Sequence, residues 1–173
     1  AGLGCGKYFE GRGKHTQAYT HSLQEGHHVF KNLHDGRVYC LPDGYEVVDQ
    51  SLQDIQNLLF PEYDKETVST LDTKPVYSRG VDGSDYMPGL IGLNNIKNTD
   101  YVNVVVQSPS RGPPVRDVFL LPGNYAHVKS QLVQEFGALL RKMWSPYNFK
   151  GQVSPHELLQ AVAHESDNRF KIG

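Results

Sequence analysis

Residues 92–107 read G-L-N-N-I-K-N-T-D-Y-V-N-V-V-V-Q, and this stretch constrains the fold more than any other. A polar turn, N-N-I-K-N-T, runs without a spacer into a segment rich in valine. Such a segment needs a core to pack against, so the turn is expected to sit at the mouth of a buried helix. Asp100 stands at the junction, where a helix start would present a reactive side chain. An aspartate there also satisfies a free helix N–H and complements the helix dipole. The residues are therefore compatible with an active site or with a capped helix, and the capped helix is the simpler reading.

The glycine-rich opening, A-G-L-G-C-G-K-Y-F-E-G-R-G, has five glycines in thirteen positions and predicts turns. Residues 16–26 fit a short helix with Thr16 as N-cap and Gly26 beyond its end. H-V-F-K-N-L and R-V-Y-C-L flank Asp35-Gly36, which predicts a hairpin. Ser51 to Asp54 reads as a capping box ahead of I-Q-N-L-L, with Pro61 behind it, and residues 64–71 suit a further helical turn or two. The turn formers of 72–88 suggest a linker between two modules, 1–71 and 89–173. In the second, Leu132, Val133, Phe136, Leu139, Leu140, Met143 and Trp144 mark one face of a helix that Ser145-Pro146 ends. Ser154 and Pro155 then start a last helix. No internal repeat or low-complexity segment interrupts the pattern.

Charge and cysteine use narrow the function classes. Lysine and arginine number 17 against 19 acidic residues, a balance that argues against gripping nucleic acid through phosphates. Direct RNA contact is expected to be minor or none. Two cysteines, Cys5 and Cys40, are too few for a disulfide-stapled secreted domain, which points to a reducing compartment. No run approaches the roughly twenty apolar residues that cross a bilayer, so no membrane role is expected. The first residue is Ala1 and no signal peptide opens the chain; a piece of something longer is the expectation.

Cys5, His21 and His27 stand out as metal donors. The two histidines flank a helix end and the following turn, so their rings can converge. A thiolate with two imidazoles suits zinc, although three donors leave a tetrahedron open. G-K-Y-F-E-G-R-G, H-S-L-Q-E-G-H-H-V-F-K-N-L and V-Y-C-L-P-D-G-Y-E resemble the UBP-type zinc finger of ubiquitin-specific proteases, above all that of the family's splicing-associated, inactive branch. In that branch a C-x-x-C pair and two histidines hold the metal. Cys5, His21 and His27 match the second cysteine and both histidines, while Gly2 stands at the first cysteine's place. Water, His15, His28 or Cys40 could complete the shell, or packing alone could hold the site. The resemblance implies structural zinc in an incomplete set. UBP fingers of the binding type hold the free C-terminus of ubiquitin in a pocket lined by an arginine and aromatics; Arg12 matches the arginine approximately, and ubiquitin capture has little support beyond that.

The stretch 92–107 resembles the cysteine box of the same family, G-L-x-N-x-G-N-T-C-Y-x-N-x-x-L-Q. It matches at Gly92, Leu93, Asn95, Asn98, Thr99, Tyr101, Asn103 and Gln107. Val106 replaces a leucine, Lys97 a glycine, and Asp100 the catalytic cysteine. The flanks D-G-S-D-Y-M-P-G, P-P-V-R-D-V-F-L and R-K-M-W-S-P-Y-N-F-K-G-Q-V-S-P-H-E-L-L-Q-A-V agree with the splicing branch. The resemblance implies an α+β chain: a small zinc finger followed by the partial, mainly helical N-terminal (thumb) part of a papain-like protease domain. Asn95 matches the oxyanion-hole position. A carboxylate attacks an amide carbonyl poorly, so Asp100 implies a degenerate site with no nucleophile. Lys97 is expected to pair with Asp100 and fill the space a glycine would leave. The implied role is a nuclear, non-catalytic scaffold of the spliceosomal tri-snRNP. Its implied neighbours are the U5-particle scaffold, GTPase and RNA helicase.

Overall fold

The computed structural model describes residues 1–170; the last three residues of the expected second module, 171–173, lie outside the described residues. The chain is α+β and divides into two units, residues 1–56 and 57–173.

The first unit is a helix and a hairpin around a small apolar centre. Helix α1 (Gln17–Glu25) starts where Thr16 sets extended backbone, and it stops at Gly26, whose φ of 67° is the left-handed C-cap conformation. The Thr16 hydroxyl donates to the Gly13 carbonyl at 2.8 Å and not into the helix. Strands β1 (Val29–Lys31) and β2 (Val38–Cys40) pair antiparallel, with Phe30 opposite Tyr39. Gly36, at φ 72°, shapes the loop between them, and Asp35 Oδ1 accepts from the Arg37 N–H at 2.9 Å. Ala18, Phe30 and Leu41 form the core, with Phe9 against them. Lys31 is only 2% exposed. Its ammonium donates to the Gly36 carbonyl and to Gln56 Oε1, both at 2.8 Å. Burial pushes its pKa down, against the opposing pull of Asp35.

Two sequence expectations change at the end of this unit. Residues 50–52 form a 3-10 turn capped by Asp49, whose carboxylate accepts from the Ser51 N–H at 2.8 Å; Ser51 is not the cap. The Asp49 carboxylate both satisfies that N–H and complements the partial positive charge of a helix start. Helix α2 (Gln53–Leu59) follows. The expected division at 71/72 falls instead at 56/57. Helix α3 (Lys65–Thr70), capped by Asp64, buries Val68 against Leu120 and Leu140 and so belongs to the second unit's packing. Residues 72–88 are not a free linker either. They carry strands β3 (Ser78–Arg79) and β4 (Asp85–Tyr86), an antiparallel pair. Tyr86 enters the core, where its hydroxyl donates to the Ser145 carbonyl at 3.0 Å and accepts from the Asn148 N–H at 2.9 Å.

The rest of the second unit is helical. After strand β5 (Gly92–Leu93) come α4 (Asp100–Ser110), α5 (Pro113–Leu120) and α6 (Gln131–Trp144). Strand β6 (Gln152–Val153) pairs parallel with β5 and leads into α7 (His156–Glu165). Pro155 takes the N-cap position of α7, one residue later than the expected Ser154. Leu139, Leu140 and Met143 of α6 are buried, and Leu132, Phe136 and Trp144 pack partly buried beside them, as the helical spacing predicts. Arg116 of α5 is 1% exposed yet fully engaged. It meets Asp72 through two parallel hydrogen bonds of 2.5 and 2.8 Å, bonds Asp117 at 2.7 Å, and stacks over Trp144. No described helix is long and apolar enough to cross a membrane.

Candidate functional site

Three of the chain's donors converge in the first unit. The middle of α1 carries His21, the segment after Gly26 carries His27, and the opening glycine-rich turn carries Cys5. Cys5 Sγ lies 3.4 Å from His21 Nε2, and His21 Nε2 lies 3.1 Å from His27 Nδ1. All three donor atoms fall within 4.8 Å of one another, and the residues are half-buried. Zinc bond lengths of about 2.0 Å to nitrogen and 2.3 Å to sulfur set tetrahedral donors about 3.3–3.7 Å apart. The spacing and the borderline-soft donor set therefore fit zinc. Phe9 and Phe30 ring the His21 imidazole and shield one side of the cluster.

Of the candidates for a fourth donor, none joins the cluster among the described residues. His28 Nδ1 is engaged with the Leu41 carbonyl at 2.9 Å, and the Cys40 thiol interacts with Tyr45. The direction of the open corner is nonetheless legible in Gly2. A Cβ added there would lie 3.0 Å from Cys5 Sγ, so a side chain at this position would point at the cluster.

Beside the cluster core, a cavity of about 440 Å³ is lined by Tyr8, Phe9, Arg12, Phe30 and Tyr39, among others. The Arg12 guanidinium sits 4.0 Å from the centroid of the Tyr39 ring. The sequence left the aromatic partners of Arg12 open. The strand alternation that turns Tyr39 toward the opening turn, where Arg12 sits, supplies them.

In the second unit the loop 94–99 delivers Asp100 to the start of α4. Box residues hold that loop by hydrogen bonds. Asn103 of α4 donates its side-chain amide to the carbonyls of Leu93 and Asn94 at 3.3 and 3.2 Å. Gln107, one turn on, donates to the Ile91 carbonyl at 2.8 Å. Asn95 Oδ1 accepts the Thr99 N–H at 2.9 Å, and the buried Thr99 hydroxyl accepts the Ile96 N–H at 3.1 Å. Val102 and Val106 anchor the helix in the core, so Val106 fills the leucine position of the box.

Three expectations about this loop are corrected. Asp100 is the first residue of α4 and not its cap; Thr99 holds the cap position, and the exposed Asp100 carboxylate makes no hydrogen bond or ion pair among the described residues. Lys97 does not pair with Asp100. Lys97 and Asn98 instead adopt φ of 50° and 63°, the left-handed region that favours glycine, and this carries the Lys97 side chain outward. Finally, α4 is only half buried: Val104 and Val105 are exposed, because successive valines on a helix point in different directions.

Comparison with known proteins accords with both halves. Residues 1–52 match the family described as Zn-finger in ubiquitin-hydrolases and other protein. Residues 91–172 match the ubiquitin carboxyl-terminal hydrolase family. Human ubiquitin carboxyl-terminal hydrolase 39 is 51% identical over 98% of this chain and 31% of its own length. The chain belongs to the splicing-associated branch of the ubiquitin-specific protease family. The probable mRNA-splicing protein ubp10 of Schizosaccharomyces pombe is 43% identical over 98% of the chain and 34% of the relative. The pre-mRNA-splicing factor SAD1 of Saccharomyces cerevisiae is 32% identical over 88% of the chain and 34% of the relative. A solved structure titled as that of an essential yeast splicing factor superposes with a TM-score of 0.84 at 29% identity, covering 96% of this chain and 42% of that one. The chain thus spans about a third of the curated relatives it matches.

Proposed function

We propose that this chain is part of a non-catalytic scaffold of pre-mRNA splicing, acting in the nucleus on the assembly or stability of the tri-snRNP. The observation that carries the reading is Asp100 at the first position of α4, where the cysteine box places its nucleophile. A carboxylate is a weak nucleophile toward an amide carbonyl, and its attack would give a high-energy anhydride. The hydrogen bonds that Asn95 accepts and that Asn103 and Gln107 donate support the loop whether or not chemistry follows. The splicing names of relatives 43% and 32% identical support the process. The balanced charge favours protein neighbours over RNA, and the proposed neighbours are the U5-particle scaffold, GTPase and RNA helicase.

In this reading Cys5, His21 and His27 hold a structural zinc that ties α1 to the opening turn. The matched zinc-finger family and the donor spacing support it. A tagged full-length protein containing this chain is expected to recover tri-snRNP proteins from nuclear extract. Recovery of none of them contradicts the proposal.

A second reading, a ubiquitin reader without activity, is favoured by one observation: Arg12 stacked on Tyr39 beside the 440 Å³ cavity. Titration with free ubiquitin separates the two, since the scaffold reading expects no saturable binding in this cavity.

A further inference from the structure

The second unit carries an apolar groove that neither the zinc cluster nor the Asp100 loop uses. It has a volume of about 560 Å³, and Tyr63, Leu71, Val76, Met87, Leu90 and Trp144 are among its lining residues. Its floor is rigid. The Trp144 ring lies so close to Gly89 that a Cβ there would overlap it. The Trp144 indole donates to the Ser110 carbonyl at 3.0 Å, and Arg116 stacks over the ring. The Tyr63 hydroxyl donates to the Arg141 carbonyl at 3.1 Å. With these polar tips turned inward, what the groove offers is apolar surface. Its walls, by contrast, are open: Val76 and Leu90 are 63% and 54% exposed. Exposed apolar surface of this kind around a concave site marks binding more often than chance.

Two features define the occupant. The first is charge. The only carboxylate among the lining residues is Asp72, and Arg116 occupies both of its oxygens. Lys74 and Arg111 stand on the rim, both exposed. Among the described residues the Lys74 ammonium has no partner, and the only Arg111 side-chain partner is the neutral Gln107, at 3.3 Å. The rim is therefore net positive. The second is backbone. Residues 75–77 run outside any helix or strand, and neither Val76 nor Tyr77 makes a hydrogen bond among the described residues. A free main-chain edge beside an apolar groove is what an extended peptide pairs with.

We propose that this groove docks an extended peptide segment of a protein partner, with apolar residues on the Trp144 floor and acidic residues against Lys74 and Arg111. The inference is independent of the splicing reading, because it rests on the groove alone. Trp144 is the only tryptophan in the chain, so its emission reports this groove directly. The probe is a capped peptide of alternating leucine and glutamate, with a leucine–lysine peptide of equal length as control, titrated against the purified chain. The expected result is a saturable change in Trp144 emission with the acidic peptide, weakened by added salt and about tenfold or more in Lys74→Glu and in Lys74→Glu/Arg111→Glu, with circular dichroism unchanged. Equal binding of the basic peptide overturns the proposal, as do undiminished binding by both charge variants and the absence of any saturable change. Concentration-dependent self-association that buries Trp144 without peptide would assign the groove to a second copy of the chain and overturns it as well.

Discussion

The Asn95 side chain accepts the backbone N–H of Thr99 at 2.9 Å, closing the turn that delivers Asp100 to α4. The Asn95 amide is therefore held by the loop, and its first effect is on the conformation of residues 95–99. Asn95→Ala should lower stability by about 1 kcal/mol, the ordinary cost of losing a side-chain bond to a helix-start N–H. Urea unfolding of the two chains measures this. An unchanged midpoint would mean the bond contributes nothing.

Lys97 occupies left-handed backbone, at φ 50°. A non-glycine residue there costs roughly 1–2 kcal/mol, while glycine costs about 0.5–1 kcal/mol of extra chain entropy on folding. Lys97→Gly should therefore be neutral to stabilising, by up to about 1 kcal/mol, and Lys97→Ala should give no such gain. Thermal unfolding distinguishes them, and a destabilised glycine variant would show that the lysine side chain makes a contribution the backbone argument omits.

The first unit should bind one zinc per chain through Cys5, His21 and His27, whose donor atoms lie within 4.8 Å of one another. His21→Ala should abolish the metal in elemental analysis, and a chelator should lower the wild-type unfolding temperature without affecting the variant. Gly2→Cys places a thiol toward Cys5 Sγ, 3.0 Å from the added Cβ. It should tighten zinc tenfold or more by completing the tetrahedron. Zinc affinity unchanged by that substitution would mean that the open corner does not face Gly2.

Arg116 holds Asp72 through two parallel hydrogen bonds, and these set the Asp72 carboxyl below its ordinary value of 3.8. A carboxyl depressed on folding stabilises the native state above its unfolded pKa. That stability is lost as pH falls below about 4 and through the lower folded value. Asp72→Asn should therefore be less stable than wild type at neutral pH, with the difference shrinking on acidification. A gap that stays constant down to pH 2 would show that the ion pair is not its source.

The elements legible in the sequence are those whose signal is local. Gly26 ends α1, Asp35-Gly36 turns the hairpin, and the α6 stripe buries Leu139, Leu140 and Met143. The cluster of Cys5 with two histidines was legible because the second half of α1 and the turn at Gly26 bring His21 and His27 together over six residues. What was not legible depends on distant partners. Val68 joins Leu120 and Leu140, which moves α3 and the apparent linker into the second unit. Asp100 reads as a cap by residue type, yet Thr99 is bonded to both Asn95 and Ile96 and starts the helix one residue earlier. The groove around Trp144 is assembled from residues 63 to 146, and no local pattern announces it.

The central claim is that the cysteine-box fold persists here around a residue that performs no acyl transfer. Its most direct test is turnover of a ubiquitin C-terminal amide substrate by the full-length protein containing this chain, beside its Asp100→Ala variant. The account predicts no turnover by either, with equal recovery of tri-snRNP proteins by both. Turnover by the wild type that Asp100→Ala abolishes would contradict it.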